Sequence, residues 1–486
     1  MTTTRGMATA LAAALLAGCS LAPEYLRPAL PVSESWPAGP AYNKTDRGGE
    51  ASRVADLGWR EFFGDARLKD LIALGLDNNR DLRVTALNIQ KSRAQYAGQE
   101  AQLFPTIALQ GSGNTTRTPA DVAGASSPVT AGTYGLNAGL SSYEVDFFGK
   151  VQSLTNEALE TYLATQDAQR SAYLSLVAEI ATDYLALLAD RERLQTAEVT
   201  LASQQASLSL TEKTTNAGTG TALAVAQART SVESARADVS LYTRQVALDQ
   251  NTLTLVIGAP VPLALLSDSS LHSVTAAPRI RAAIPSDVLL RRPDIVEAEH
   301  TLKAANADIG AARAAFFPSV TLTANGGASS AALTHLFRAG SGAWVFAPQV
   351  NLPIFDGGNN LANLHASEAQ RSIAVAQYEK SIQSAFKEVA DALAVAGTIS
   401  AQLSAQQALV AANADSYRLA QARFRGGIDS YLAVLTAQQS LYTSQQTLIT
   451  IRLTGLTNRV TLYKTLGGGD REYGAGRQIA ASGPGR

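Results

Sequence analysis

Apolar positions along this chain recur with two different periods, and the points where the period changes mark its elements. From Asp65 to about Leu103 the spacing of Leu68, Leu71, Leu74, Leu82, Leu87 and Ile89 is helical, and Pro105 ends the pattern. Beyond it the period falls to two. Ile107, Leu109 and Gly111 alternate with Thr106, Ala108 and Gln110, and Val320, Leu322 and Ala324 alternate with Ser319, Thr321, Thr323 and Asn325. Tyr134, Leu136, Ala138 and Leu140 form another such run, and Trp344, Phe346, Val350, Leu352 and Ile354 share one phase. These stretches predict four half-buried strands. Pro348 lies inside the last, where its missing donor predicts either an interrupted pairing or a bulge.

The helical period returns in two very long segments. Between Gly149 and Gly218 stand 68 residues without glycine or proline, which as one helix would span about 100 Å. The segment between Gly358 and Gly426 has no proline and only one glycine, Gly397. A glycine-containing turn follows each and leads into a returning helix. On the first of these, Val225, Ala228, Val232, Ala235, Val239, Tyr242, Val246, Asp249, Leu253 and Val256 are spaced alternately by three and four, the seam of a coiled coil. The second carries Val434, Ala437, Leu441, Ser444, Leu448 and Ile451, with a neighbouring stripe at Leu435, Tyr442, Ile449, Leu456 and Tyr463. Adjacent seams imply partners on both sides, so the helices build a wall.

The elements occur twice. Gly218 to Val225 aligns with Gly427 to Val434 at an offset of 209, and Leu103-Phe104-Pro105-Thr106 aligns with Phe316-Phe317-Pro318-Ser319 at 213. A duplicated unit follows. The expected partition is a signal at 1–18, an anchored tether at 19–64, a first repeat at 65–257, a linker at 258–285, a second repeat at 286–466 and a disordered tail at 467–486. Five prolines between Leu21 and Pro40 are what make the tether an extended leash.

Charge changes the picture mainly by exclusion. With 40 Lys and Arg against 41 Asp and Glu, bulk charge gives no reason to expect nucleic acid or an anionic membrane surface as partner. The predicted strands are almost free of charge, which suits membrane β-strands, although a soluble β-subdomain has the same pattern. Four strands leave open edges in lipid, so a membrane sheet of this size must be completed by other copies. Cys19 is the sole cysteine. Arg5, the apolar run Met7 to Leu16, and Leu16-Ala17-Gly18-Cys19 resemble a bacterial lipoprotein signal, in which Cys19 becomes the lipidated first residue. The alternative is a plain secretory signal with an accidental cysteine. Ser20 at the following position resembles lipoproteins sent to the outer membrane.

No catalytic constellation, P-loop or metal-ligand spacing is present, so neither an enzyme, a cofactor nor a metal is expected. His272, His300, His335 and His365 read as lone surface histidines, and the helix carboxylates as solvated faces.

Several motifs occur together in order: Leu16 to Cys19, Arg291-Arg292-Pro293-Asp294-Ile295, Phe317-Pro318, Glu144 to Gly149 paired with Pro353 to Gly358, and Tyr463 to Gly469. The set resembles the outer-membrane factors of tripartite RND-type efflux systems, in the lipoprotein, NodT-type branch of the TolC-like family. Asp470 departs from it, since relatives often carry an aromatic there.

The resemblance implies a mainly α fold with a membrane β-barrel portion. Four strands per chain would contribute to a 12-stranded barrel shared by a homotrimer, continued by a helical tunnel. It also implies a passive duct in the outer membrane, partnered by a periplasmic adaptor and an inner-membrane transporter. A protein-secretion duct of the same shape and a poreless periplasmic scaffold are the alternatives. The turns at Gly218, Gly220, Gly426 and Gly427 would form the periplasmic tips. Asp429 would line the constriction, or else cap the returning helix. Arg423 and Arg425 would clamp the closed tip against carboxylates of neighbouring helices. Trp344 and Phe346, sharing one face of an uncharged strand, are expected at the membrane boundary.

Overall fold

The computed structural model describes residues 20–42, 57–266, 270–271 and 286–469. In chain order the elements are α1 (Ala66–Asn78), α2 (Arg80–Glu100), β1 (Ile107–Thr118), β2 (Val129–Val145), α3 (Lys150–Asn216), α4 (Ala222–Ile257), α5 (Pro293–Ala314), β3 (Ser319–Ser330), β4 (Gly342–Asn351), α6 (Asn359–Arg425) and α7 (Tyr431–Thr465). Single helical turns add Trp59–Phe62, Ala120–Ala123 and Leu263–Leu266. Cys19, His272 and Asp470 lie outside the described residues.

Both long helices form without a break, α3 and α6 having 67 residues each, and Gly397 does not interrupt the second. Their starts explain one sequence motif. Asp146 accepts hydrogen bonds from the free N–H groups of Lys150 and Gln152 at 2.7 and 2.8 Å, and Asp356 accepts from Gly358 and Asn360 at 2.9 and 2.7 Å. Each carboxylate thus satisfies orphan donors at a helix N-terminus. The expected single helix from Asp65 to Leu103 is instead divided at Asn79. The Asn79 N–H closes α1 on Gly75, its Oδ1 accepts from Leu82 to start α2, and its Nδ2 donates to the Val256 carbonyl at 2.6 Å.

Contacts divide the chain into two compact units, one of residues 1–29, 88–165 and 297–378, the other of 30–87, 166–296 and 379–486. The first holds one antiparallel sheet in the order β1-β2-β3-β4. Its register runs through Leu322 opposite Pro348 without a shift, so neither expectation for Pro348 holds. β4 is an edge strand of this sheet, where a residue lacking N–H is tolerated. The irregularity lies elsewhere, between Leu140 and Tyr143 of β2. Ser142 adopts φ 57° there and donates its N–H to the Thr323 hydroxyl at 3.2 Å.

The second unit is built on aromatic and aliphatic burial. Trp59, Phe62, Tyr184 and Tyr463 are buried. Phe62 stacks on Tyr463 at 4.1 Å, Trp59 Nε1 donates to the Tyr173 hydroxyl at 2.9 Å, and Tyr463 donates to the Leu57 carbonyl at 2.9 Å. One stretch of α3 is apolar enough to cross a membrane by composition, but most of it is buried in the fold. Every α4 seam residue is buried or half-buried. Arg292 ties two motifs together, donating to the Thr465 carbonyl at the end of α7 and to Asp294 and Glu388.

The expected leash is also corrected. Residues 57–63 contribute Trp59, Phe62 and Phe63 to the core, and residues 21–27 are bonded to α5. Proline made this segment extended but did not free it, because its carbonyls and side chains find partners.

Candidate functional site

Cross-strand pairing sorts the sheet into two faces, because directly opposed residues share a side. One face carries the rows Leu109–Ala138–Gly326–Trp344 and Ile107–Leu140–Ala324–Phe346. Beyond the bulge it continues with Tyr143–Leu322–Pro348 and Val145–Val320–Val350. The other face carries Gln110–Asn137–Gly327–Ala343 and Ala108–Gly139–Asn325–Val345. The first is apolar and the second mostly polar or small. The bulge keeps them so, since the extra residue at 141–142 shifts Tyr143 and Val145 back to the apolar side. On the crowded second face, a Cβ at Gly139 would stand 2.2 Å from the Ala324 carbonyl oxygen.

Trp344 and Phe346 therefore share the apolar face and are 78% and 61% exposed. At the helix side of the strands, each junction carries exposed phenylalanine: Phe104 before β1, Phe147 after β2, Phe316 and Phe317 before β3, and Phe355 after β4. The pattern of phenylalanines at the junctions was present in the sequence, but only the strand ends give it meaning.

At the tips of the two helical hairpins, in the second unit, the turns are built alike. Gly218 and Gly427 take φ 81° and 70°. Thr219 N–H bonds to the Thr214 carbonyl and Ile428 N–H to Arg423, the closing bonds of a Schellman motif. Gly220 packs so tightly on Thr215 that a Cβ would lie 2.4 Å from its hydroxyl. Gly426 has no such constraint. A small core of Ala228, Tyr431 and Val434 with Leu208, Tyr417 and Phe424 joins the hairpins.

Asp429, at the position matching Gly220, is held by Arg423 of its own chain through Nε at 2.6 Å and Nη2 at 2.9 Å. That bidentate hydrogen bond holds the Asp429 carboxyl below the usual range and raises the Arg423 guanidinium. The capping alternative fails because Ser430, not Asp429, occupies the N-cap of α7. Within this chain, Arg423 makes its charge-assisted contact with the turn before α7. Arg425 instead borders a cavity of about 100 Å³ with Ser203, Ser207, Phe424 and Tyr431.

Farther up the hairpins, a groove of about 600 Å³ is lined by Asp190, Arg193, Tyr242, Gln245, Gln446 and Thr450. Asp249 accepts from Gln245 Nε2 at 3.0 Å, while its other oxygen is buried without a donor. Burial first, then the Asp190 carboxyl beside it, pushes Asp249 up to about 6. Burial and Glu179 likewise raise Asp183 to about 6. These carboxylates are not the solvated faces expected. His300 also departs from that reading, being bonded through Nδ1 to Glu160 at 2.5 Å. Among the described residues no three His, Cys, Asp or Glu side chains gather as metal ligands.

Comparison with known proteins agrees with this architecture. The model of the family "Outer membrane efflux protein" matches residues 71–259 and 284–468. The toluene efflux pump outer membrane protein TtgC and the antibiotic efflux pump outer membrane protein ArpC, both of Pseudomonas putida, are each 49% identical over 463 residues, covering 95% of this chain and of the relative. The open state of the Neisseria gonorrhoeae MtrE outer membrane channel is 35% identical with a TM-score of 0.82, covering 93% of this chain and 98% of that one. The apolar, aromatic-bordered sheet and the paired helical hairpins are thus those of an outer-membrane efflux channel, and this chain belongs to the outer membrane efflux protein family.

Proposed function

We propose that the chain is the duct of a tripartite pump, working as a homotrimer in which three four-stranded sheets close one 12-stranded barrel. The observation that carries this is the pair of open edges, β1 and β4, on a sheet with one apolar face. Unpaired backbone groups are prohibitive in lipid, and pairing β1 of one copy with β4 of the next satisfies both edges. Helices α3, α4, α6 and α7 of the two repeats then supply the tunnel wall. The duct is passive and carries no catalysis. A periplasmic adaptor and an inner-membrane RND-type transporter supply cargo and energy, and the names of TtgC and ArpC support small toxic compounds as that cargo.

Cys19 is the acylation site, and palmitate labelling of wild type but not Cys19→Ser checks it. Trp344 and Phe346 mark the outer membrane boundary. Trp344 pairs with Gly326, nine residues from Phe317, which is about 30 Å along a strand and about 23 Å along a barrel axis at a 40° tilt, close to the apolar band of such barrels. Asp429 and Arg423 line the periplasmic constriction.

Heat-resistant trimer migration together with single-channel conductance in planar bilayers tests the whole reading. A purified, folded chain that stays monomeric and conducts nothing overturns it.

A further inference from the structure

The cavity that Arg425 borders lies where the two hairpins meet, and three helices give it one face each. Ser203, Ala206, Ser207 and Leu210 of α3 line it at the i, i+3, i+4, i+7 spacing of a single helix side. Phe424 and Arg425 of α6 and Tyr431 and Val434 of α7 stand opposite. Its volume of about 100 Å³ is somewhat below the ~150 Å³ of an engineered cavity that takes up benzene.

The polar groups in this cavity are not equally satisfied. Ser203 is fully used, its hydroxyl bonding to Tyr417 Oη at 3.0 Å and accepting from Gln438 Nε2 at 3.2 Å. Tyr431 is not. It is 4% exposed, and its hydroxyl is buried without a hydrogen bond of normal geometry, although the Ser207 side chain stands beside it. Most buried polar groups have a partner, and one left without it is unfavourable. Burial, then the neighbouring Tyr417, push the Tyr431 pKa up, so the group remains a neutral O–H donor. Arg423 is neutralised by Asp429, whereas the Arg425 guanidinium has no ion-pair partner among the described residues.

These features select one kind of guest. None of the lining side chains is a carboxylate, so a cation finds no counter-charge. An apolar guest would leave both Arg425 and the Tyr431 hydroxyl unmatched. Water would serve the hydroxyl but not the wall of Leu210, Phe424 and Val434. A carboxylate with a short apolar body meets all three, since its two oxygens match the planar donor fork of arginine.

We infer that this cavity is a binding site for a small organic carboxylate, whose anion takes the Arg425 guanidinium and the Tyr431 hydroxyl while an aliphatic body lies against Phe424 and Val434. Because α3 belongs to one hairpin and α6 and α7 to the other, the occupant ties the hairpins together and stabilises their joined state by mass action. Binding needs only the folded chain, so it stands apart from the duct reading.

Saturation-transfer NMR of the purified full chain in deuterated detergent, with 3-methylbutanoate as probe, tests this. Binding should saturate with a dissociation constant of about 1 mM, the range for so small a ligand. The neutral 3-methylbutanamide and the cationic 3-methylbutylammonium should bind about tenfold more weakly or less. Arg425→Gln should weaken the carboxylate about tenfold and Tyr431→Phe about fivefold, with circular dichroism showing both variants folded. Without ligand, Tyr431→Phe should melt no lower than wild type, because it removes the unmatched hydroxyl and keeps the ring. Amide binding as tight as the carboxylate, or carboxylate binding unchanged in Arg425→Gln, overturns the site, since no anion would then be read there. A lower melting temperature for Tyr431→Phe overturns it as well, because the hydroxyl would already be satisfied without a guest.

Discussion

Asp249 is the only carboxylate in an α4 seam otherwise made of Val, Ala, Leu and Tyr. The anomaly was visible in the stripe, but its partner Asp190 stands on another helix, and no local pattern links the two positions. Periodicity says which face is covered and nothing about which side chain covers it. The buried oxygen of Asp249 has no donor except a protonated neighbouring carboxyl, which explains a value near 6 against about 3.9 in an unfolded chain. A raised acid contributes stability that is full below about pH 4 and is lost as pH rises through about 6. Asp249→Asn should therefore stabilise the protein at pH 7.5 by about 1 kcal/mol after solvent screening, and hardly at all at pH 4.5. Thermal unfolding at both values checks this. Equal shifts at the two pH values would remove titration as the cause. Arg292 teaches the same lesson about legibility: two motifs separated by some 170 positions meet because its guanidinium donates to Thr465.

Strands and long helices were readable because each repeats one period for long enough to be heard over local noise. Breaks within an element were not. Asn79 divides α1 from α2 through three hydrogen bonds of its own, one of them to distant Val256. The β2 bulge depends on Ser142 at φ 57° and on Thr323 across the ladder. That bulge carries a prediction. Deleting Ser142 alone would only straighten the strand, but deleting Ser141 and Ser142 together should put Tyr143 and Val145 on the polar face while leaving Leu140 on the apolar one, because a one-residue slip reverses every side chain beyond it. Heat-resistant trimer in outer-membrane fractions should fall at least tenfold. Ser142→Gly, which keeps the residue count and relaxes the left-handed backbone, should assemble at wild-type levels. Equal assembly of the deletion and the glycine variant would mean that the two-faced register is not what directs the sheet into lipid.

In the proposed trimer, the tip chemistry is decided by symmetry as well as by local geometry. Each chain offers a bidentate Arg423–Asp429 pair, half-exposed and formally neutral. Three such pairs around an axis make a constriction whose opposite charges are nearly balanced, unlike the bare acidic ring that three Asp429 carboxylates alone would form. The two single substitutions should then act in opposite directions. Asp429→Ala leaves three guanidinium groups unopposed and should move selectivity toward anions, whereas Arg423→Ala leaves three carboxylates and should move it toward cations. The double variant should return near the wild-type value. Reversal potentials across a salt gradient, measured at low ionic strength where screening is weakest, report the sign directly. Because an exposed pair contributes little to folding, thermal unfolding of all three variants should stay close to wild type, so any selectivity change belongs to the pore. If both single variants shifted selectivity the same way, or neither did, the pair would lie away from the conducting path and the constriction would have to be sought in other residues of the tips.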